Sequence, residues 1–201
     1  MRGAVIVLAA GKSERMGSPK QLLPYRGRPL AAHAIGSALD SGIGPVVVVS
    51  GAVDLKVELG GIDNAQNRDQ TPLIWVRNEN WAAGIAGSIK AGLTHLLQLD
   101  DKPEAVLIMV ADQPHADADL LKQLWQLWEG NEQSMAACGY DGILGTPAVF
   151  GRSRFEALLA LSGDAGARKI LLTCPEDVVT LTFPAGAIDI DTPEDYEKLK
   201  Q

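Results

Sequence analysis

The amino-acid sequence predicts an α/β fold in which helices cover both faces of a mostly parallel sheet. Apolar runs of strand length alternate along the chain with segments whose apolar residues recur at helical spacing. The strand runs are nearly continuous in Val, Ile and Leu, which is typical of strands buried on both faces. With 201 residues, of which 46% are hydrophobic, the chain fits a single domain, which we assign to residues 1–201.

The first half of the chain contains the clearest elements. Strands are predicted at Ala4–Ala10, Val46–Ser50, Leu73–Val76 and Ala105–Ala111, and helices at Leu30–Leu39, Ile85–Leu99 and Leu120–Trp128. The first run follows Arg2 and so has the outward layout of a signal peptide. It is short, however, and charged residues follow it at once, which favours a buried first strand.

The pattern changes after Glu129. Two short strands, Met135–Cys138 and Pro147–Phe150, are predicted around a glycine-rich loop at Gly139–Gly145, as a hairpin-like insertion into the sheet. Helices are then expected from Arg152 and from Asp164, which fits an N-cap. The chain closes with strands at Val178–Thr182 and Ala187–Ile190 and a last helix from Pro193, for which Thr192 and Asp195 fit a capping box.

Composition and charge exclude several classes of protein. A net charge of −7 with 5% aromatic residues is the wrong balance for a nucleic-acid groove or an anionic membrane surface. No apolar stretch approaches the ~18 residues of a membrane span. Cys138 and Cys174 lie far apart and form no C-x-x-C pair, which favours a reducing compartment, and we expect the cytoplasm.

The loop after the first strand is locally basic. Small residues, Ala9, Ala10 and Gly11, are followed between positions 12 and 28 by five cations and one anion. A P-loop would need glycine at position 6, where Ile6 stands, and no G-x-G-x-x-G occurs. Small residues at a strand's carboxyl end let backbone amides approach phosphate, but a solvated basic turn explains the composition equally well.

Five segments resemble one enzyme family. Residues 8–24 read L-A-A-G-K-S-E-R-M-G-S-P-K-Q-L-L-P and resemble the first-loop signature of nucleotidyltransferases that transfer a nucleoside monophosphate. N-W-A-A-G-I-A-G-S-I at 80–89, A-D-Q-P at 111–114, S-G-D-A-G-A-R at 162–168 and D-I-D-T-P-E-D at 189–195 resemble the molybdenum cofactor cytidylyltransferases. This resemblance implies a Rossmann-like fold of the nucleotide-diphospho-sugar transferase type and CMP transfer from CTP, with release of pyrophosphate.

Candidate catalytic residues are cations and carboxylates, because nucleotidyl transfer depends mainly on positioning and charge neutralisation. Arg15 and Lys20 are expected to bind the triphosphate. Asp112, directly after a predicted strand, is expected to bind Mg²⁺, although a turn or helix-capping aspartate is the alternative. Asp189 and Asp191 share one face of the last predicted strand and are candidate ligands of the same metal, or solvated acids.

The resemblance also places the nucleotide and its acceptor. The expected nucleotide-binding residues are Leu8, Ala9, Ala10, Gly11, Lys20, Gly84 and Ser88, whereas Trp81 is expected in the core. The implied partners are CTP, a molybdopterin-type phosphorylated acceptor and a recipient molybdoenzyme. Relatives that transfer GMP tend to read L-A-G-G where this chain reads L-A-A-G.

The acceptor remains open at this stage. Relatives often carry a basic or polar residue before a G-x-P turn, whereas this chain has the apolar pair Ile143 and Leu144 in that region. A sugar or polyol phosphate is therefore an alternative acceptor, and a non-catalytic carrier of the molybdenum cofactor is an alternative function. A carrier would not need both a cationic loop and a set of metal-binding carboxylates, which favours catalysis.

Overall fold

The computed structural model describes residues 2–13, 16–60, 71–131, 133–188, 190 and 192–199. The strands are β1 (Gly3–Ala9), β2 (Pro24–Tyr25), β3 (Arg28–Pro29), β4 (Val46–Ser50), β5 (Leu73–Arg77), β6 (Ala105–Val110), β7 (Met135–Tyr140), β8 (Ile143–Gly151) and β9 (Val178–Thr182). The α-helices are α1 (Leu30–Asp40), α2 (Leu55–Glu58), α3 (Ile85–Leu97), α4 (Ala118–Glu129), α5 (Phe155–Ala160), α6 (Arg168–Thr173) and α7 (Pro193–Leu199). Within these residues, every helix is too short or too polar to cross a membrane.

Seven strands form one sheet in the order β5-β4-β1-β6-β8-β7-β9, while β2 and β3 form a separate pair. β1 lies parallel to β4 and β6, β4 to β5, and β7 to β9. β8 runs antiparallel to β6 and β7, so the other six strands share one direction. The predicted mostly parallel α/β sheet is confirmed, and the carboxyl ends of these six strands lie along one edge.

The core lies on both faces of the sheet because successive side chains of a strand point to opposite sides. On β1, Val5 and Val7 pack with α1 and α4, whereas Ile6 and Leu8 pack on the other face with α3, α5 and α6. Val5, Ile6 and Val7 are fully buried. The two faces matter for function, since different loops reach the carboxyl edge from each of them.

The structure corrects the predicted loop at Gly139–Gly145. β7 and β8 continue through this segment and meet at a two-residue turn formed by Asp141 and Gly142. Their φ angles of +49° and +73° are those of a type I′ turn, for which Asp-Gly is a strong sequence signal. Gly139 and Gly145, at the ends of this segment, make the whole of it resemble a loop, so that the Asp141-Gly142 turn signal does not stand out.

The end of the chain differs from the prediction in one strand. Pro184–Ala187 forms a 3-10 turn, and no strand is present at the described residues of 187–190. Local bonds explain this, since Gly186 N–H donates to the Phe183 carbonyl at 2.9 Å and Ile188 N–H to the Ala185 carbonyl at 3.2 Å. Ile188 is 44% exposed and Ile190 fully buried, so these two side chains do not share a face.

Two helix starts were also predicted. The α7 capping box is confirmed, because Thr192 N–H donates to Asp195 Oδ2 at 3.1 Å and Asp195 N–H to Thr192 Oγ1 at 3.2 Å. The helix expected from Asp164 begins at Arg168 instead, with Ala167 as its N-cap and no side-chain cap. The predicted capping role of Asp164 is therefore wrong.

Candidate active site at the carboxyl edge of the sheet

A cavity of about 590 Å³ opens at the carboxyl ends of β1 and β6, where ligands of open α/β sheets bind. Most of the residues predicted to bind nucleotide or metal line it: Leu8, Ala9, Ala10, Gly11, Lys20, Gly84, Ser88 and Asp112. The three others, Arg15, Asp189 and Asp191, lie outside the described residues. The structure thus brings together residues as far apart in the sequence as Leu8 and Asp112.

The loop after β1 is held in place by Gln21, which is 4% exposed. Its Nε2 donates to the Ala9 carbonyl at 3.1 Å and to the Gly11 carbonyl at 2.6 Å. Ser13, with a φ of +59°, donates through Oγ to Gln21 Oε1 at 3.4 Å and accepts from Lys20 N–H at 3.1 Å. Because these bonds fix the loop before any ligand arrives, its backbone amides are preorganised.

Lys20 and Asp112 form an ion pair inside this cavity. Their side chains are 18% and 19% exposed, so solvent screens the pair less than a surface pair. Asp112 does not cap α4, because Asp117 does so by accepting from Leu120 N–H at 2.9 Å. The capping alternative for Asp112 is therefore excluded, and its carboxylate is placed to contact a ligand.

Lys20 reaches the cavity from the face of the sheet that α1 covers. Lys20 lies in the 3-10 turn Lys20–Leu22, whose Leu22 packs with the α1 side of the core. Lys12 is exposed and also lines the cavity. Two lysines therefore line the cavity, and a phosphate chain would be attracted to them.

The opposite wall is built by the start of α3. Ser88 is buried there and its Oγ accepts a hydrogen bond from Asn78 Nδ2 at 3.0 Å, while Asn78 Oδ1 accepts from Asn80 N–H at 3.1 Å. This arrangement leaves the Ser88 O–H proton available as a donor to a ligand. Trp81 is half-buried and lines the cavity, so its predicted place in the core is wrong.

Gly84 lines the cavity and also lets the start of α3 pack closely against the turn at Gly163. Its φ is +107°, and a Cβ at this position would lie 2.2 Å from the Gly163 carbonyl oxygen. Ala86 N–H donates to that same carbonyl at 3.1 Å. The turn at Gly163 and Asp164 is thus fastened to the start of α3, and Asp164 becomes part of the cavity wall.

The donor set suits a magnesium or manganese ion. Mg²⁺ is usually held by one or two carboxylates together with substrate phosphates and water. Asp112 offers such a carboxylate in the cavity, and β6 places it at the strand end. One carboxylate that is paired with a lysine fits an ion that arrives with a triphosphate better than a permanently bound one.

A second group of residues that could bind a metal consists of Cys174, Glu176 and Asp177, whose potential ligand atoms lie within 4.8 Å of one another. Arg154 occupies its neighbourhood, because the guanidinium pairs with Asp177 and donates to Cys174 Sγ at 3.4 Å. An arginine at this distance neutralises the carboxylate and competes with any cation. We therefore interpret this group as part of the Arg154–Asp177 ion pair, which stabilises the start of β9, and not as a metal site.

A second cavity, of about 420 Å³, lies at the carboxyl ends of β7 and β9, on the same edge of the sheet. Asp141 is the only charged residue among its described lining, which also includes Tyr140, Thr180, Thr182 and Pro184. Gln113, next to Asp112, donates through Nε2 to the Gly186 carbonyl at 3.3 Å. This bond links the end of β6 to the turn beside the second cavity.

Cys138 in β7 is no candidate nucleophile. Burial raises the pKa of its thiol to about 12, so the thiolate is scarce at neutral pH. Nucleotidyl transfer needs no covalent intermediate on the protein, which agrees with this inert cysteine.

Sequence reasoning missed three parts of the site. Gln21 and Asp164 lie within the family-like segments, but side chains that bond to backbone or stand in a turn carry no pattern of their own. Trp81 was assigned to the core because a lone tryptophan usually packs there. Only the fold shows that all three surround one cavity.

Comparison with known proteins places this geometry in a family. The sequence matches the MobA-like NTP transferase domain over residues 5–178. The purine catabolism protein PucB of Bacillus subtilis is 27% identical, covering 98% of this chain and 95% of its own length. The nicotine blue oxidoreductase of Paenarthrobacter nicotinovorans is 31% identical, with 96% and 94% covered. The molybdenum cofactor cytidylyltransferase of Escherichia coli is 24% identical, with 98% and 94% covered.

Solved structures agree in fold. Rv0371c from Mycobacterium tuberculosis H37Rv aligns with a TM-score of 0.76 at 26% identity, covering 100% of this chain and 97% of that one. A structure of Rv0371c in complex with manganese aligns with a TM-score of 0.73 at 25% identity, covering 100% and 98%. The domain match and the shared sheet show that this chain belongs to the MobA-like NTP transferase family and is a nucleotidyltransferase.

Proposed function

We propose that the protein transfers CMP from CTP to a molybdopterin-type phosphorylated acceptor, with Mg²⁺, and releases pyrophosphate. The observation that carries the proposal is the Lys20–Asp112 pair in the cavity at the carboxyl ends of β1 and β6. One member suits a phosphate and the other a divalent cation, which are the two charges that such a reaction brings together.

Each residue has a distinct task in this reaction. Lys20 binds the triphosphate and neutralises charge that develops as pyrophosphate leaves. The amides of the loop after β1, held by Gln21, hold the nucleotide in position for in-line attack. Asp112 would hold the Mg²⁺ ion, which supplies further charge neutralisation at the phosphates. Arg15 is proposed to assist Lys20, and Asp189 and Asp191 to assist Asp112.

The acceptor is proposed to lie along the same edge, with its phosphate beside Asp112 and its body in the second cavity. The lining of that cavity offers hydroxyl groups and one ring but no lysine or arginine among the described residues. Such a surface suits an uncharged heterocyclic or polyhydroxylated body better than a second phosphate. The pterin ring of the proposed acceptor is such a heterocyclic body, and the acceptor carries one terminal phosphate.

Two alternatives remain within reach of experiment. A sugar or polyol phosphate would also present one phosphate and a hydrogen-bonding body. A carrier of the molybdenum cofactor, the alternative from a different class, would bind the acceptor without turnover. The polarised cavity favours catalysis, because a carrier has no need of a cation and carboxylate placed for a triphosphate.

Pyrophosphate release tests the proposal. Wild-type protein is mixed with CTP and Mg²⁺ and with molybdopterin-bound molybdenum, a sugar phosphate or a polyol phosphate, and parallel reactions contain Mn²⁺. We expect pyrophosphate only with the molybdopterin acceptor, and at a rate that depends on the divalent ion. Release with another acceptor would replace the proposed substrate, and silence with every acceptor despite acceptor binding would support the carrier.

A further inference from the structure

Asp164 is an exposed turn residue that contributes to the wall of the first cavity. It caps no helix, since α6 begins at Arg168 with Ala167 as its N-cap. Among the residues that the structure describes, none donates a hydrogen bond to this side chain or forms an ion pair with it. A carboxylate in a cavity for a polyanion costs affinity by repulsion, unless it binds a donor of the ligand.

The position of Asp164 is fixed by the backbone rather than by its side chain. A Cβ on Gly84 would lie 2.2 Å from the Gly163 carbonyl oxygen and 2.7 Å from the Asp164 nitrogen. Ala86 N–H bonds to Gly163, and Ala165 N–H closes the turn on Ser162 at 3.2 Å. The turn therefore places the Asp164 backbone against the start of α3, and Asp164 and Ile85 line the same cavity.

The cavity is consequently polarised across the sheet. Lys20 reaches it from the α1 face, whereas Asp164 and Ser88 reach it from the α3 face. Trp81 lies on the β4 side of the α3 wall. Gly51 follows the last residue of β4, and a Cβ on Gly51 would lie 2.6 Å from Trp81 Cβ. The Asp112 carboxylate is already paired with Lys20, whereas no cation among the described residues pairs with Asp164. Phosphates are therefore repelled more strongly from the α3 wall, and the nucleoside is expected to face it.

From this polarity we infer that Asp164 is a specificity-determining residue: its carboxylate accepts a hydrogen bond from an N–H or O–H donor of the bound nucleoside. The inference rests on the proposed nucleotidyltransferase site and names what recognises the end of the nucleotide away from the phosphates. The donor is either a ribose hydroxyl or the amino group of the base. Ile85 and the half-buried Trp81 supply the apolar surface against which a sugar or base packs.

The test measures binding without an acceptor, so it does not depend on turnover. Calorimetry gives the Kd of CTP, UTP and 2′-deoxy-CTP with Mg²⁺ for wild type, Asp164→Ala and Asp164→Asn. Loss of the carboxylate also removes repulsion from the phosphates, but that effect is common to all three nucleotides. It cancels in the ratio of Kd values, which isolates the hydrogen bond.

We expect wild type to bind one of the two analogues about tenfold more weakly than CTP, a difference of about 1.4 kcal/mol. UTP identifies the base amino group as the donor, and 2′-deoxy-CTP the ribose hydroxyl. In Asp164→Ala the same ratio should fall below about twofold, and Asp164→Asn should retain part of it, since an amide oxygen still accepts. Glu156→Ala removes an exposed carboxylate outside both cavities and should leave every ratio unchanged.

Ratios that are equal in wild type and Asp164→Ala would overturn this inference and leave the proposed function standing. Absence of binding by all three nucleotides to the wild type would overturn both. Retained nucleotide ratios with a raised acceptor KM in Asp164→Ala would assign the carboxylate to the acceptor, and would likewise overturn its proposed role toward the nucleoside.

Discussion

The two halves of the carboxyl edge differ in charge and in how well their sequence signals identify them. The half at β1 and β6 carries Lys20 and Asp112 and lies next to a loop fixed by Gln21. The half at β7 and β9 carries Asp141 as the only charged residue in its described lining and is formed largely by a hairpin. We propose that the first half binds phosphates and a metal and that the second half binds the body of the acceptor.

We propose that the two halves serve different parts of one transfer reaction. The family match, residues 5–178, includes every residue that lines the first cavity and the Gly139–Leu144 part of the second. The relatives carry names as different as purine catabolism protein, nicotine blue oxidoreductase and molybdenum cofactor cytidylyltransferase. The chemistry is therefore expected to reside in the β1–β6 half and the choice of acceptor in the β7–β9 half.

The largest expected effect breaks the charged half. Asp112→Ala removes the proposed metal ligand and should lower kcat about 100-fold or more, because a bound metal contributes several kcal/mol of transition-state stabilisation. Steady-state pyrophosphate release at saturating CTP measures it. Asp117→Ala is the matched control: it removes the α4 cap and should lower the free energy of unfolding by about 1 kcal/mol while kcat stays normal. A normal rate in Asp112→Ala at limiting Mg²⁺ would contradict the metal assignment.

A second change loosens the fixed loop without touching a charge of the site. Gln21→Met keeps the length of the side chain and adds no charge, but it removes the N–H donor to the Ala9 and Gly11 carbonyls. We expect CTP affinity to fall about tenfold and the free energy of unfolding to fall by about 1–3 kcal/mol, the cost of unsatisfied buried groups. Calorimetry and thermal unfolding give the two values, with exposed Gln126→Met on α4 as control. Unchanged CTP affinity would show that the loop needs no such support.

A third change alters the half at β7 and β9. Thr182→Val removes a hydroxyl from the second cavity at nearly constant shape. The KM for the acceptor should rise about two- to tenfold, the worth of one neutral hydrogen bond, while the Kd for CTP stays unchanged. Thr94→Val, at an exposed position of α3, should change neither value. A change in CTP affinity alone would show that the two halves are not separate subsites.

The smallest expected effect concerns base choice. Ala10→Gly reproduces the L-A-G-G sequence of relatives that transfer GMP and should raise GTP use relative to CTP. Ala10 is only 7% exposed, and a Cβ on Gly51 would lie 2.8 Å from its methyl carbon, so the methyl group partly faces β4 rather than the ligand. We therefore expect the preference to shift by about threefold or less, in an assay where both nucleotides compete. An unchanged preference would show that Ala10 does not control base choice.

The sequence predicts the two halves unequally, for physical reasons. Buried parallel strands produce long apolar runs, so β1, β4 and β6 were predicted almost to the residue. The motif at the strand ends led to Lys20 and Asp112, but their pairing across the sheet is a tertiary contact without a local signal. Pro184–Ala187 and the Asp141-Gly142 turn were misjudged because turns compete with strands over few residues. Asp164 looked like a cap, and only the contact of Gly84 with Gly163 shows its true place.

Titration of CTP into the protein tests the central claim, that Lys20 and Asp112 mark a nucleoside triphosphate site. We predict that wild type binds CTP with Mg²⁺ and that Lys20→Ala weakens this binding about 10- to 150-fold, the worth of a hydrogen bond to a charged group. Lys122→Ala, which removes a surface cation of α4, should bind CTP like wild type. Equal CTP affinity in wild type and Lys20→Ala would contradict the claim.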